Sequence, residues 1–216
     1  MRNQSICDNK LIAMGKIKRT KLLDRHQDRR DTKLFIVATE GKETEKQYFR
    51  MFNSTRIQLE ILATTEDGKS SPEYVLERLD IFKERYDLNE DDMLWLVSDV
   101  DRWGPKKLSS VCSQARQKGY NLAISNPCFE VWLTLHFEDI NPQDRTCDNF
   151  KARLRTILGG YNGSNLDISA YNQNITNAVN RAKILHQNSQ QDWPPTLGTH
   201  VYRLVEIVLE SLGSEF

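Results

Sequence analysis

No stretch of this chain approaches the ~18 consecutive apolar residues that a membrane-spanning helix requires. The amino terminus is polar and lacks the apolar run of a signal peptide, so a cytoplasmic location is expected. Cysteine is scarce: Cys7, Cys112, Cys128 and Cys147 are scattered without Cys-x-x-Cys spacing. That pattern argues against a zinc cluster or a disulfide framework and fits a reducing compartment. A glycine-rich phosphate loop is missing as well. Gly68-Lys69-Ser70 imitates its end, but Ala63 stands where the upstream glycine belongs. There is no Gly-x-Ser-x-Gly and no Cys/His pairing that would mark a covalent nucleophile. Internal repeats and low-complexity tracts are absent too.

Net charge is also absent, but the zero hides an asymmetry. Residues 1–33 carry ten Lys/Arg against four Asp, a local charge of +6, so the remainder carries −6. A basic arm on an acidic body is a common layout for contact with nucleic-acid phosphates. The alternative is a solvated arm, or one that docks on its own body. A short helix over 11–23 is compatible with the weak apolar spacing there.

What is present is alternation of strand and helix. Short apolar runs at 34–38, 57–63, 93–97 and 120–124 read as strands buried on both faces. Between and after them, 44–52, 72–86, 107–118 and 129–137 carry apolar residues at helical spacing. The order β-α-β-α-β-α-β-α predicts an α/β fold with a mostly parallel four-stranded sheet flanked by helices. Beyond about residue 138 the texture changes. Helices are expected at 150–158, 175–186 and 201–212, with loop over 162–174. The organisation is therefore read as a basic arm (1–33), an α/β domain (34–140) and a C-terminal helical appendage (141–216).

In such a sheet the carboxyl ends of the strands share one rim, where open α/β sheets bind ligands. Glu40 follows the first strand there, and Asp99-Val100-Asp101 follows the third. Side chains alternate along a strand, so Asp99 and Asp101 are expected to point the same way. Two or three carboxylates hold a hard cation such as Mg²⁺ or Mn²⁺ and leave coordination places for phosphate and water. Glu45 and Glu130 lie within reach for a second ion. The plain alternative is that these aspartates only form a turn.

The residues resemble a known family. A strand followed by Glu-Gly, and a later strand followed by Asp-x-Asp, is similar to the Toprim domain of topoisomerases, primases and overcoming-lysogenization-defect nucleases. More narrowly, Phe35-Ile-Val-Ala-Thr-Glu-Gly-Lys-Glu-Thr-Glu-Lys-Gln-Tyr-Phe49 resembles the opening block of RloB-like proteins. Val97-Ser-Asp-Val-Asp-Arg102 and Asn126-Pro-Cys-Phe-Glu-Val-Trp-Leu-Thr-Leu-His-Phe137 resemble two further blocks. Thr39 departs from the cysteine often found there, and the Gly41-to-Glu45 spacing is one residue longer than in the overcoming-lysogenization-defect nucleases. The resemblance implies a metal-dependent nuclease acting on RNA, including tRNA, or on DNA. It further implies a toxic effector of bacterial anti-phage defence, with an ABC-type ATPase encoded nearby as partner. Glu40, Asp99 and Asp101 would be the catalytic, metal-binding set, with Glu45 and Glu130 as further ligands.

Lys42 and Lys46, close after Glu40, and His200 and Arg203, late in the chain, are candidate phosphate contacts. His136 on its apolar helix reads as structural, and Arg102 as a salt-bridge partner. A second function class stays open: a non-catalytic binding or adaptor module for a partner ATPase or a nucleotide. Homo-oligomerisation is compatible with either.

Overall fold

Period-two alternation along the strands sorts the apolar residues into two cores, one on each face of a central sheet. The computed structural model describes residues 16–18, 32–64, 68–186 and 191–213. In order, the elements are β1 (Ile17–Lys18), β2 (Lys33–Thr39), α1 (Thr44–Arg50), β3 (Ile57–Leu62), α2 (Pro72–Arg85), β4 (Tyr86–Asp87), β5 (Met93–Asp99) and α3 (Pro105–Gln117). They continue with β6 (Asn121–Asn126), α4 (Glu130–Leu135), α5 (Cys147–Leu158), α6 (Ile168–Asn172), α7 (Ile175–Leu185), β7 (Gly198–Thr199) and α8 (Val201–Leu212).

The sheet order is β3-β2-β5-β6-β7. The first four strands are parallel, and β7 pairs antiparallel with β6, Thr199 opposite Ser125. Phe35, Val37, Trp95, Val97 and Ala123 face one core. Leu34, Ile36, Ala38, Leu94, Leu96, Leu122 and Ile124 face the other. Strands buried on both faces are the expected consequence of parallel pairing with crossover helices.

The chain leaves β2 outward to β3 over α1, whose Tyr48 and Phe49 enter the first core. It then returns across the sheet to β5 over α2, on the opposite face, where Val75, Leu79 and Phe82 enter the second. The direction of winding therefore reverses between β2 and β5. Their carboxyl ends splay over a crevice, the topological switch point of an open α/β sheet.

Helices α5, α7 and α8 contribute Phe150, Leu154, Val179, Leu204 and Val208 to the same core as β2, β5 and α4. At its centre Tyr48 packs edge-on against Phe129, Trp132, His136 and Tyr171. The Tyr48 hydroxyl donates to His136 Nε2 at 3.1 Å, and His136 Nδ1–H donates to the Trp132 carbonyl at 3.0 Å. His136 is 1% exposed and both its nitrogens are satisfied, so it is a structural histidine.

Four expectations are revised. The sheet has a fifth strand, β7, whose two residues are too short to leave a periodic pattern. The loop expected at 162–174 contains α6. Ile17–Lys18 form a strand paired with β4 where a helix over 11–23 was compatible; the rest of that helix, and most of the arm, lies outside the described residues. Finally, β5 ends at Asp99, so Asp101 belongs to the following turn and strand alternation does not orient it. Backbone bonds from Val100 N and Asp101 N to the Pro127 carbonyl, both 3.1 Å, fix that turn instead.

Burial holds the His136 imidazole neutral and pushes its pKa from 6.5 down to about 4. A lowered pKa means the unfolded chain takes up the proton first. The stability it supports is complete above about 6.5 and is lost as pH falls through about 4. The His136 ring resonances should stay constant from pH 8 to 5 in an NMR titration; a midpoint near 6.5 would contradict this account. Tyr48→Phe, which leaves the His136 acceptor unmet, should cost ~1–3 kcal/mol in urea unfolding.

Candidate metal centre

Three connections meet above the switch point: β2 to α1, β5 to α3, and β6 to α4. With α5 they enclose a cavity of about 770 Å³. Glu40, Glu45, Asp99, Asp101 and Glu130 all line it, joined by Asp148. The five carboxylates nominated from the sequence are thus brought together from positions 90 residues apart.

Glu40 is the most firmly held. Its Oε2 accepts from Ser98 Oγ–H at 2.7 Å and from the Asp99 backbone N–H at 3.2 Å. Its Oε1 accepts from the Trp103 indole N–H at 2.9 Å. Behind it, Thr64 Oγ–H donates to the Glu40 carbonyl at 2.7 Å, and Arg78 donates to the Thr39 and Leu62 carbonyls at 2.6 and 3.2 Å. The end of β2 is tied to the ends of both its neighbours.

Glu45 sits in the first turn of α1, buried, with Oε1 accepting from Gly41 N–H at 3.0 Å. A Cβ added at Gly41 would fall 1.9 Å from Glu45 Oε2. Glycine at 41 therefore serves close approach of the carboxylate, not an unusual φ. Glu130, buried in the first turn of α4, accepts from the Tyr161 hydroxyl at 3.2 Å and has Lys151 Nζ at 3.8 Å. Asp99 is partly buried and Asp101 is exposed. Asp101 Oδ2 accepts from Cys147 Sγ–H at 3.1 Å.

The electrostatics follow from crowding. Desolvation raises the Glu40 carboxyl, its hydrogen bonds opposing only in part. Desolvation, with the Glu130 and Glu40 charges added, pushes Glu45 up from 4.5 to about 7. Asp99 is driven well above the carboxylate range by desolvation, then by Glu45, Glu40, Glu130 and Asp101. Lys151 is the one cation paired with this set among the described residues, and its own pKa is raised by Glu130.

The residues fit a hard divalent cation. The carboxylates are oxygen acceptors lining one recess, and the raised pKa values of Glu40, Glu45 and Asp99 come from desolvation first and then from one another's charge, a penalty that a bound cation would relieve. As the side chains stand, no three His, Cys, Asp or Glu among the described residues close on a single ligation point.

A family described as RloB-like protein matches residues 35–208. The chain belongs to the RloB-like family. No curated protein and no solved structure matches it. The region shared with the RloB-like family contains every carboxylate of the cavity and all of α5.

The phosphate candidates fare differently. Lys42 and Lys46 do not line the cavity. His200 is fully buried, its Nδ1 bonded to the Asp192 carbonyl at 3.1 Å, and Arg203 Nη2 meets His186 Nε2 at 3.3 Å in a separate pocket. Neither reaches the carboxylates, because β7 carries His200 into the sheet core. The cations on the cavity wall are instead Arg102, Arg145 and Lys151. Sequence reasoning passed over Lys151, Ser98 and Trp103. Trp103 adjoins the Asp-x-Asp and was legible; Lys151 is 50 residues from it and carries no local signal.

A raised carboxyl pKa favours the fold below about 4.5, and that benefit is lost as pH rises through about 7. Without metal, ionisation at Glu45 should subtract stability as pH rises from about 4.5 through about 7, opposing the gain that His136 gives up to about 6.5. Glu45→Gln, which keeps the acceptor for Gly41 N–H and cannot ionise, should flatten that loss by up to roughly 3 kcal/mol. Urea unfolding in chelator across this range measures it, and parallel pH slopes for the two chains would refute the assignment.

Proposed function

We propose that the chain is a Mg²⁺- or Mn²⁺-dependent nuclease that hydrolyses phosphodiester bonds in RNA, possible targets including tRNA, or in DNA. The observation that carries this reading is the convergence of Glu40, Glu45, Asp99, Asp101 and Glu130 on one cavity at the switch point, with Lys151 beside Glu130 and the carboxyls of Glu45 and Asp99 raised by burial and by their neighbours' charge. Membership of the RloB-like family supports it, as does the resemblance of the Glu-Gly and Asp-x-Asp pieces to the Toprim domain. From that same resemblance we assign a role as toxic effector in bacterial anti-phage defence, with an ABC-type ATPase as partner and a cytoplasmic location.

When bound, the cation would polarise a phosphoryl oxygen and acidify a water molecule. Asp99, Asp101 and Glu40 would hold it, with Glu45 and Glu130 as further ligands. Glu40, fixed by three donors, gives the site its rigid corner. A carboxylate of the set not committed to the cation accepts the proton of the attacking water. Lys151 offsets charge that builds on the phosphoryl group.

Asp99→Ala and Glu40→Gln should each lower cleavage by at least ~10²-fold, the scale expected when a metal ligand or general base is lost, and chelator should abolish it. Gly41→Ala should do similar damage while the melting temperature barely moves, because the new methyl displaces only the Glu45 carboxylate. Full cleavage by the Asp99→Ala chain would remove the site assignment. One observation favours a second reading: the ligands are not closed around a point as they stand. A non-catalytic adaptor for an ATPase or nucleotide would bind its partner equally well after Asp99→Ala and without metal.

A further inference from the structure

The deepest groups of the cavity are carboxylates. Glu40, Glu45 and Glu130 are buried and Asp99 partly so, while two guanidinium groups, Arg102 and Arg145, stand exposed on its wall beside the exposed Asp101 and Asp148. They come from different elements. Arg102 lies in the turn after β5, and Arg145 in the loop before α5. The two walls meet where Cys147 Sγ–H bonds to Asp101 Oδ2 at 3.1 Å. Lys151 follows Cys147 by one helical turn and so shares its face of α5. It lies inward, 3.8 Å from Glu130 Oε1.

Neither arginine neutralises the acidic centre, although each has an aspartate as chain neighbour or near neighbour. Arg102 forms no side-chain hydrogen bond or ion pair among the described residues, and Arg145 reaches only the Pro142 carbonyl, through Nε at 3.5 Å. Coulomb attraction would favour an inward turn toward six carboxylates. Their outward position leaves planar donor forks at the mouth, the geometry that phosphates accept bidentately.

We propose that Arg102 and Arg145 hold the phosphates flanking the one at the acidic centre, so that the ligand of this cavity is a polynucleotide strand and not a mononucleotide or small phosphate ester. A lone phosphate would engage the centre and Lys151 and leave both arginines without a role. A strand passing over the mouth uses all three cations. Lys151 meets the central phosphate; the arginines set affinity and register. The inference rests on the nuclease reading for the identity of the central phosphate, but strand binding is measurable without cleavage.

The test is fluorescence anisotropy of a labelled single-stranded 12-mer RNA on the full chain in the Asp99→Asn background, in chelator, across a salt series. Arg102→Ala and Arg145→Ala should each weaken binding ~5- to 20-fold and reduce the log–log salt slope by about 1. Unlabelled mononucleotide should compete at least ~100-fold less well than unlabelled strand, which makes several phosphate contacts to its one. Both arginines are exposed, so unchanged melting temperatures serve as the folding control, and Arg102→Glu should weaken binding further than Arg102→Ala. With metal and otherwise wild-type residues, the arginine variants should raise KM and spare kcat, whereas Lys151→Gln should lower kcat. Unchanged affinity and salt slope in both alanine variants, or a mononucleotide that competes as well as the strand, would overturn the proposal. Strand binding lost with the arginines, but no metal-dependent cleavage by the unaltered chain, would sink the nuclease reading and keep this one. Cleavage indifferent to both arginines would do the reverse.

Discussion

Everything at the cavity depends on one constraint: a glutamate at the end of one strand is bonded to the end of the next. Glu40 Oε2 takes the Asp99 N–H and the Ser98 hydroxyl, and Oε1 takes the Trp103 indole N–H. These bonds do two things at once. They hold a desolvated carboxylate in a fixed place, and they bring a second acidic residue, Asp99, within its field. Charge repulsion would scatter such groups on a flexible surface. Here the register of β2 against β5, Thr39 opposite Val97, leaves no room to scatter.

The topology explains why this constraint falls where it does. Reversal of winding between β2 and β5 opens a crevice that no crossover helix covers. In the opposite face, α2 and α3 close over the sheet and leave only apolar packing. The C-terminal helices then complete the recess instead of merely decorating the fold. Helix α5 is held by Phe150 and Leu154 in the shared core, begins with a capping box at Thr146, and carries Cys147, Asp148 and Lys151 to the cavity. The same helix ends at Gly159, whose φ of 68° is the left-handed stop its backbone needs.

The acidic centre stores unfavourable energy. Buried carboxylates with raised pKa values oppose the fold once they ionise, so the chain tolerates them at a cost in stability. Strained or destabilised groups of this kind are characteristic of functional sites, where a ligand relieves the penalty. Structural groups in the same molecule look different. His136 is equally buried, yet both its nitrogens are paired and it faces a ring of aromatics, with no carboxylate among the partners of its ring.

Sequence alone determined the four parallel strands, the crossover helices and the carboxylates at the rim, because each leaves a local mark. Buried strands read as short apolar runs, and charge placed directly after such a run has nowhere to sit but the sheet's edge. It did not determine which cations face the carboxylates. Lys42 and Lys46 are near Glu40 in sequence but do not line the cavity, and Lys151 is remote yet arrives on α5. Nor did it determine the orientation of Asp101, which backbone bonds to Pro127 impose, or the place of His200, which a two-residue strand pulls into the core. Short-range patterns encode the period of an element. Proximity between elements is decided by packing of the whole core, and only the tertiary structure records it.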